Sequence, residues 1–251
     1  MLERLKTPPR AVPGSWFPGR FVGGGALILA PPIWFAGFLL RYLGLHGGQF
    51  TDAELDAFAE LPFAAPARLA SYVRDPALVT AGDALFVLGA ILLFPAFVTL
   101  AHLAVRRCPK LVAWGGTLLV FGLFARAYFA GVDQTAFRLI AENGLDDTVR
   151  SIMAGYADIS YGPWRVPVTA SACQYAGGLL LGIGLWRSGV FGTGRTLVFL
   201  ASNTIWMGVL KEAVVPDLVF TGLLALVLVP LGIQVLRDRR GEPVAPKPLG
   251  W

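Results

Sequence analysis

Long apolar runs constrain this chain more than any other feature of its sequence. Six nearly continuous runs each approach the ~20 residues that a helix needs to cross about 30 Å of hydrocarbon. They lie at 21–45, 79–104, 111–132, 166–186, 196–214 and 217–236. Because apolar and polar residues do not alternate within these runs, as they would in the strands of a membrane barrel, helices are favoured. The sequence therefore predicts an all-α polytopic membrane helical bundle with about six transmembrane helices.

The composition agrees with a protein that is solvated by lipid. Hydrophobic residues make up 55% of the chain and charged residues only 15%. A water-soluble fold has roughly a quarter of its residues charged, so this composition would leave too much apolar surface in water. We expect membrane lipid to surround a transmembrane domain at 21–236, between a cytoplasmic N-terminal segment, 1–20, and a cytoplasmic tail, 237–251.

The distribution of lysine and arginine predicts the orientation of the bundle. These residues cluster at 1–20, 106–110, 187–195 and 237–251, which all belong to one side of a six-helix arrangement. Because the side that keeps the positive charge is the cytoplasm, both termini are expected inside the cytoplasmic cell membrane. The net charge of +5 is divided among these short clusters, which argues against a nucleic-acid partner.

The two longest connections, about 46–77 and 134–165, then lie outside the cell, and they hold most of the acidic residues. We interpret both as extracytoplasmic surface helices instead of linkers. The segment 51–54 has capping-box spacing, with threonine first and glutamate last. Asp146 or Asp147 can cap a second helix after an asparagine-glycine stop.

Histidine and cysteine usage excludes several kinds of membrane enzyme. The only histidines, His46 and His102, are expected near opposite faces of the membrane, so one chain offers no bis-histidine haem and no histidine-based zinc site. Cys108 and Cys173 are too few for a disulfide framework or a thiolate cage. No metal ion and no cofactor is predicted.

Other catalytic motifs are also missing or incomplete. The segment 146–150 lacks the third acid of the DDxxD element with which many prenyl-transferring membrane enzymes bind magnesium diphosphate. The sequence contains no P-loop and no Gly-x-Ser-x-Gly elbow, and neither histidine is placed to activate Ser160, Ser171 or Ser202. Serine hydrolysis is therefore not expected.

Several charged residues near the ends of the apolar runs have structural explanations. Arg41 lies near the outer end of the first span, where its long side chain can reach the lipid headgroups. Asp83 follows Thr80 by three residues, which is a capping arrangement at a helix start. Asp217 follows Pro216 and is expected to cap the last helix in the same way.

The third span carries the charged residues that we single out as candidate catalytic residues. Arg126 and Asp133 are seven residues apart and share one helix face, and Glu212 lies at a similar depth in the fifth span. The candidate substrate-binding residues are Gln134, Gln174 and Asn203. One interpretation is a structural network of ion pairs and hydrogen bonds. The other is a polar pocket opening outward, in which a desolvated carboxylate acts as a general acid or binds a cation.

Three stretches resemble a broad, mainly actinobacterial, family of bacterial multi-pass integral membrane proteins with no established reaction. They are Gly82-Asp83-Ala84-Leu85-Phe86-Val87-Leu88-Gly89-Ala90, Gly122-Leu123-Phe124-Ala125-Arg126 and Gly131-Val132-Asp133. The similarity covers 20–238. Some family members place histidines around the Gly-Val-Asp element, where this chain has Phe129 and Gln134, so the resemblance implies no metal role here.

Three functional hypotheses follow. The first is a membrane-embedded enzyme or binder for a lipid-like, for example isoprenoid, substrate in the outer half of the bilayer, with Asp133 or Glu212 as the proton donor. The second is a small permease or ion-coupled carrier in which Asp133 and Arg126 exchange partners. The third is a non-catalytic accessory, immunity or sensory subunit. We rank the first hypothesis highest because the polar groups concentrate in the outer half of the bilayer. The sequence predicts neither the oligomeric state nor whether the protein is an enzyme.

Overall fold

The computed structural model describes residues 16–61, 64–161, 166–205 and 214–237, and it is helical through nearly all of them. These ranges form nine helices: α1 Arg20–His46, α2 Asp52–Glu60, α3 Ala65–Arg74, α4 Pro76–Ala104, α5 Pro109–Asn143, α6 Leu145–Tyr161, α7 Val166–Arg187, α8 Thr193–Ile205 and α9 Val215–Arg237. The all-helical prediction is confirmed for this part of the chain.

Four helices, α1, α4, α5 and α9, are long and apolar enough to cross a membrane. They correspond to four of the six predicted spans. A fifth prediction, 166–186, coincides with α7, and α8 covers the first part of the predicted span 196–214. The rest of that span, from residue 206 to residue 213, lies outside the described residues.

Glycines allow neighbouring helices to approach until their backbones touch. The chain forms two antiparallel helix pairs, α1 with α4 and α5 with α7, and α8 and α9 complete the bundle. A Cβ atom on Gly37 would lie 2.6 Å from the backbone nitrogen of Phe86, and one on Gly177 would lie 2.5 Å from that of Leu119. Because backbone cannot move aside, the small residue is a condition of both pairings.

The start of α4 differs from the predicted one. Asp75 caps the helix, since its side chain accepts a hydrogen bond of 2.9 Å from the backbone N–H of Leu78, and Pro76 occupies the first helical position. The helix therefore begins before Thr80. The prediction that Asp83 caps a helix start is wrong, because Asp83 lies two turns inside α4.

Helix α5 extends beyond the third predicted span, 111–132. Helix α5 continues without interruption to Asn143 and stops at Gly144, whose φ of +82° suits a residue without a side chain. Asp146 and Asp147 lie in the first turn of α6, where carboxylates stabilise a helix N-terminus. Asp217 occupies the first turn of α9, and its carboxylate accepts a hydrogen bond of 3.3 Å from the backbone N–H of Val214.

We call α2, α3, α6 and residues 134–143 of α5 the cap. The expected capping box is present in α2: Thr51 accepts from the backbone N–H of Glu54, and the Glu54 carboxylate accepts from that of Thr51 at 2.8 Å. The cap has a small apolar core in which the Tyr72 and Phe137 rings stack with centroids 4.3 Å apart. This core is separate from the large core among the long helices.

The end of the bundle opposite the cap carries the basic loops. The Arg107 side chain donates a hydrogen bond of 2.5 Å to the backbone carbonyl of Ser188, which joins the α4–α5 loop to the α7–α8 loop. Trp16 stacks on His102 with ring centroids 4.3 Å apart, which brings the chain before α1 to the same end. The predicted basic segments that are described therefore meet at one end.

The sides of the long helices expose large apolar residues. Trp114 is 65% exposed and Phe124 is 61% exposed, both on α5. Ile91 on α4 and Leu226 on α9 are exposed to a similar degree. So much exposed apolar surface on long helices fits a bundle surrounded by lipid.

Candidate functional site

Four charged residues lie between the large core and the core of the cap. They are Arg41 of α1, Arg68 of α3, Asp83 of α4 and Asp133 of α5, and we call them the ionic layer. Asp83 is only 1% exposed, Asp133 7% and Arg41 8%. Four different helices thus bring ionisable side chains to one level of the molecule.

Asp83 is the centre of the ionic layer. One of its carboxylate oxygens accepts hydrogen bonds from Arg41 Nε, at 3.2 Å, and from Arg68 Nη2. The Arg41 guanidinium also lies 3.5 Å from the centre of the Phe86 ring, which is a cation–π distance. The prediction that Arg41 reaches the lipid headgroups is therefore wrong, because the α1–α4 contact encloses this side chain.

Arg68 connects two helices through one guanidinium group. While one of its terminal nitrogens bonds Asp83, the other lies 3.1 Å from a carboxylate oxygen of Asp133. Charge-assisted bonds of this kind are the strong ones, and a buried charge that loses its partner is costly. The Arg68 guanidinium therefore occupies one oxygen of Asp133 and holds its side chain between α3 and α5. The arrangement therefore favours a binding or structural role for Asp133 over proton donation.

The other sequence-derived candidates fall in different environments. Arg126 is 3% exposed on α5, seven residues before Asp133, so both candidates are buried. Gln134 is exposed, although its neighbour Asp133 is buried. Glu212 lies outside the described residues, so the grouping of Arg126, Asp133 and Glu212 stays a prediction.

Gln174 and Asn203 lie deep in the bundle, at the contact between α7 and α8. Gln174 and Asn203 are each 1% exposed, and Ser202 is fully buried. A Cβ atom on Gly178 would lie 2.9 Å from that of Asn203, and Gln174 lies one turn before Gly178 on the same side of α7. We call Gln174, Ser202 and Asn203 the polar patch.

The polar patch keeps hydrogen-bonding capacity that the described residues do not satisfy. Asn203 uses its side-chain N–H to donate to the backbone carbonyl of Phe199, at 2.8 Å. Three polar atoms have no hydrogen-bond partner among the described residues: the side-chain oxygen of Asn203, the hydroxyl of Ser202 and the side-chain nitrogen of Gln174. Such atoms cost free energy when they are buried away from water. The patch can therefore bind a further polar group.

An open groove of about 610 Å³ lies within the cap, between α2, α3 and α6. Phe50, Phe58 and Val149 contribute apolar walls, and the Glu54–Arg74 ion pair lines the same groove. The Arg74 guanidinium also lies 3.8 Å from the centre of the Phe50 ring. These contacts attach α2 to α3 and leave the groove open to the surroundings of the cap.

Arg41, Arg68 and Asp83 are the residues that sequence reasoning missed. Two of them interrupt apolar runs, and recognition of Asp75-Pro76 as the start of α4 would have placed Asp83 inside the helix. Arg68 had no such signal, since an arginine in a short polar helix is ordinary. Among the described residues, no three histidine, cysteine, aspartate or glutamate side chains are grouped as metal ligands would be.

Comparisons with protein-family models, with curated proteins and with solved structures found no match to this chain. The resemblance to a bacterial membrane-protein family therefore stays a prediction.

Proposed function

We propose that this chain is a multi-pass protein of the cytoplasmic membrane with six spans and both termini in the cytoplasm. Four long apolar helices and their exposed apolar side chains support membrane insertion. The meeting of the basic loops at one end and the acidic cap at the other supports the orientation. The remaining two spans are 166–186, which coincides with α7, and 196–214, whose first part is α8.

Cysteine labelling tests this topology. In a background with Cys108→Ser and Cys173→Ser, Ala57→Cys places a thiol on exposed α2 of the cap, and Lys110→Cys places one at the start of α5. A membrane-impermeant maleimide added to intact cells should label the first and not the second. Labelling of Lys110→Cys in intact cells, with Ala57→Cys protected, would reverse the orientation.

The best-supported activity is binding of a lipid-like molecule in the outer half of the membrane. The observation that carries this function is the polar patch, which combines deep burial with unused donors and acceptors. Helices in hydrocarbon satisfy such groups internally or leave them for a ligand. Because Asp133 is held by Arg68, the function that we propose is binding, and an acid-initiated reaction at Asp133 is not part of it.

Native mass spectrometry of the detergent-purified protein tests this function. A copurified lipid-like molecule should appear with the parent protein and be reduced in Gln174→Leu. Asp133→Asn is the comparison, since the proposal expects it to lower thermal stability and to keep the ligand. Ligand loss only in Asp133→Asn would show that the ionic layer, and not the polar patch, binds the ligand. Absence of ligand from every preparation would refute the proposal.

A carrier function is the second candidate, and Arg68 is the observation that favours it. The guanidinium joins α4 of one helix pair to α5 of the other at the cap end, which is where an outer gate would close. Arg68→Gln should then increase hydrogen exchange along residues 122–133 of α5. The control is Arg74→Gln, which breaks a half-exposed ion pair within the cap. Equal changes in both variants would make Arg68 a structural residue only.

A further inference from the structure

The polar patch carries a second conclusion, which concerns the chemistry of the molecule that it binds. We infer that the patch recognises an uncharged head group of the hydroxyl type on a long apolar chain. This inference rests on the proposed binding function and adds the substrate class.

The first step is the depth of the patch. Gly177 of α7 lies against Leu119 of α5, so antiparallel pairing places Gln174 level with about residue 122. That level is ~20 Å from the start of α5 and ~16 Å further in than Asp133, at 1.5 Å per residue. In a hydrocarbon layer about 30 Å thick, the patch lies just beyond the middle of the membrane, below the ionic layer.

The second step is the set of hydrogen-bond donors and acceptors in the patch. The Gln174 side-chain N–H is a donor, the Asn203 side-chain oxygen is an acceptor, and the Ser202 hydroxyl can be either. A hydroxyl group both accepts and donates, so it suits the Gln174 donor and the Asn203 acceptor alike, although Asn203 lies opposite Gly178, one turn of α7 from Gln174. A phosphate or carboxylate could accept from Gln174 and would meet the lone pairs of Asn203 without a proton to share.

The third step is the absence of charge within the patch itself. All three members are neutral side chains, so an ionic head would lose its hydration there and gain no opposite charge from them. The guanidinium of Arg68 and the carboxylate of Asp83, which lie in the ionic layer, are engaged with each other. The backbone of Arg126, a buried residue, lies about one turn of α5 further out than the level of Gln174, at ~6 Å along the axis.

Three probes with one chain length test the inference: hexadecanol, hexadecanoate and hexadecyl phosphate, each titrated into the purified full-length protein in detergent. The alcohol should bind at least ten-fold more tightly than either anion. Gln174→Leu and Gln174→Met should each weaken alcohol binding about ten-fold, the factor for one hydrogen bond in a dry site. Gln234→Leu is the control, since it removes another amide with an unpartnered oxygen, at the far end of α9.

The contrary outcomes separate the two proposals. Tighter binding of hexadecyl phosphate, weakened by the Gln174 variants, would overturn the neutral head group and leave the lipid-binding function intact. Equal alcohol binding by the parent protein and both Gln174 variants would show that the patch does not bind the head group. Binding of none of the three probes would refute both proposals.

Discussion

The ionic layer and the polar patch are both buried polar regions at helix contacts, yet they differ in how their polar atoms are compensated. In the ionic layer, Asp83 meets two guanidiniums and Arg68 meets two carboxylates. In the polar patch, one atom of each side chain lacks a partner among the described residues. The second oxygen of Asp83 also has no partner among the described residues, so the regions differ in charge: opposite charges compensate each other in the ionic layer, whereas the members of the patch are neutral.

The two regions also differ in what they join. The ionic layer attaches the cap to α4 and α5, because Arg68 belongs to the cap and contacts both helices, and α1 joins through the Arg41–Asp83 ion pair. The polar patch lies within the bundle and involves only α7 and α8. Removing a charge from the layer and removing an amide from the patch should therefore change stability in opposite directions.

Asp83→Asn should have the largest effect. The variant removes the negative charge that the buried Arg41 and the partly buried Arg68 share, and breaking a buried ion pair costs about 3–5 kcal/mol. We expect a marked fall in the thermal unfolding temperature in detergent. Asp146→Asn, which changes an exposed carboxylate, is the control and should change little. Similar unfolding temperatures for the parent and Asp83→Asn would mean that the ionic layer is not what stabilises the cap.

Gly89→Ala should have the next largest effect, because it separates the helices that carry the ionic layer. The added Cβ atom would lie 2.7 Å from the Cα atom of Trp34, and crowding of this kind costs about 1–3 kcal/mol. Gly25→Ala on α1, where no atom lies within 4 Å of the new Cβ, is the matched control. A loss of stability in both variants would indicate a general effect on helix α1 or α4 instead of close contact.

Gln174→Leu should leave the ligand-free protein unchanged or stabilise it, by up to about 1–3 kcal/mol. The substitution removes a buried donor that has no described partner and keeps a side chain of similar size. Thermal unfolding after exhaustive delipidation measures the effect. Clear destabilisation would show that Gln174 already has a partner in the folded chain, and the contrast with the ionic layer would disappear.

Loss of the Glu54 charge on acidification should have the smallest effect, and it is followed in α2. The backbone N–H of Thr51 and the Arg74 guanidinium both lower the pKa of Glu54. A carboxyl whose pKa is lower in the folded state stabilises above its unfolded pKa, and this contribution is lost as the pH falls through the folded value. Hydrogen exchange in α2 should therefore increase as the pH falls below the ordinary glutamate pKa of 4.5, and less so in Glu54→Gln. Equal increases in α2 hydrogen exchange in the parent protein and in Glu54→Gln would mean that a group other than Glu54 causes the pH dependence.

The fold was largely predictable, and the site was only partly so. Hydrophobic length marked α1, α4 and α9 within a few residues, because lipid imposes the same thickness on each of them, while α5 continues past its apolar run into the cap. The burial of Asp133, Gln174 and Asn203 also fits their selection as candidates from the sequence. The pairing of Asp133 with Arg68 was not predicted, because Arg68 lies on the short helix α3 and no local sequence pattern indicates where that helix packs.

By itself, the sequence determined that this chain is helical, where its apolar helices lie and which ends carry the basic loops. These properties depend on hydrophobic length, on prolines and caps, and on the order of charges along the chain, which are all local. Only the tertiary structure decided that Asp83 is an ion-pair centre, that Arg68 joins α4 to α5 and that the polar patch lacks partners among the described residues. Pairing between side chains depends on which faces of distant helices meet, and close contacts at glycines set those faces.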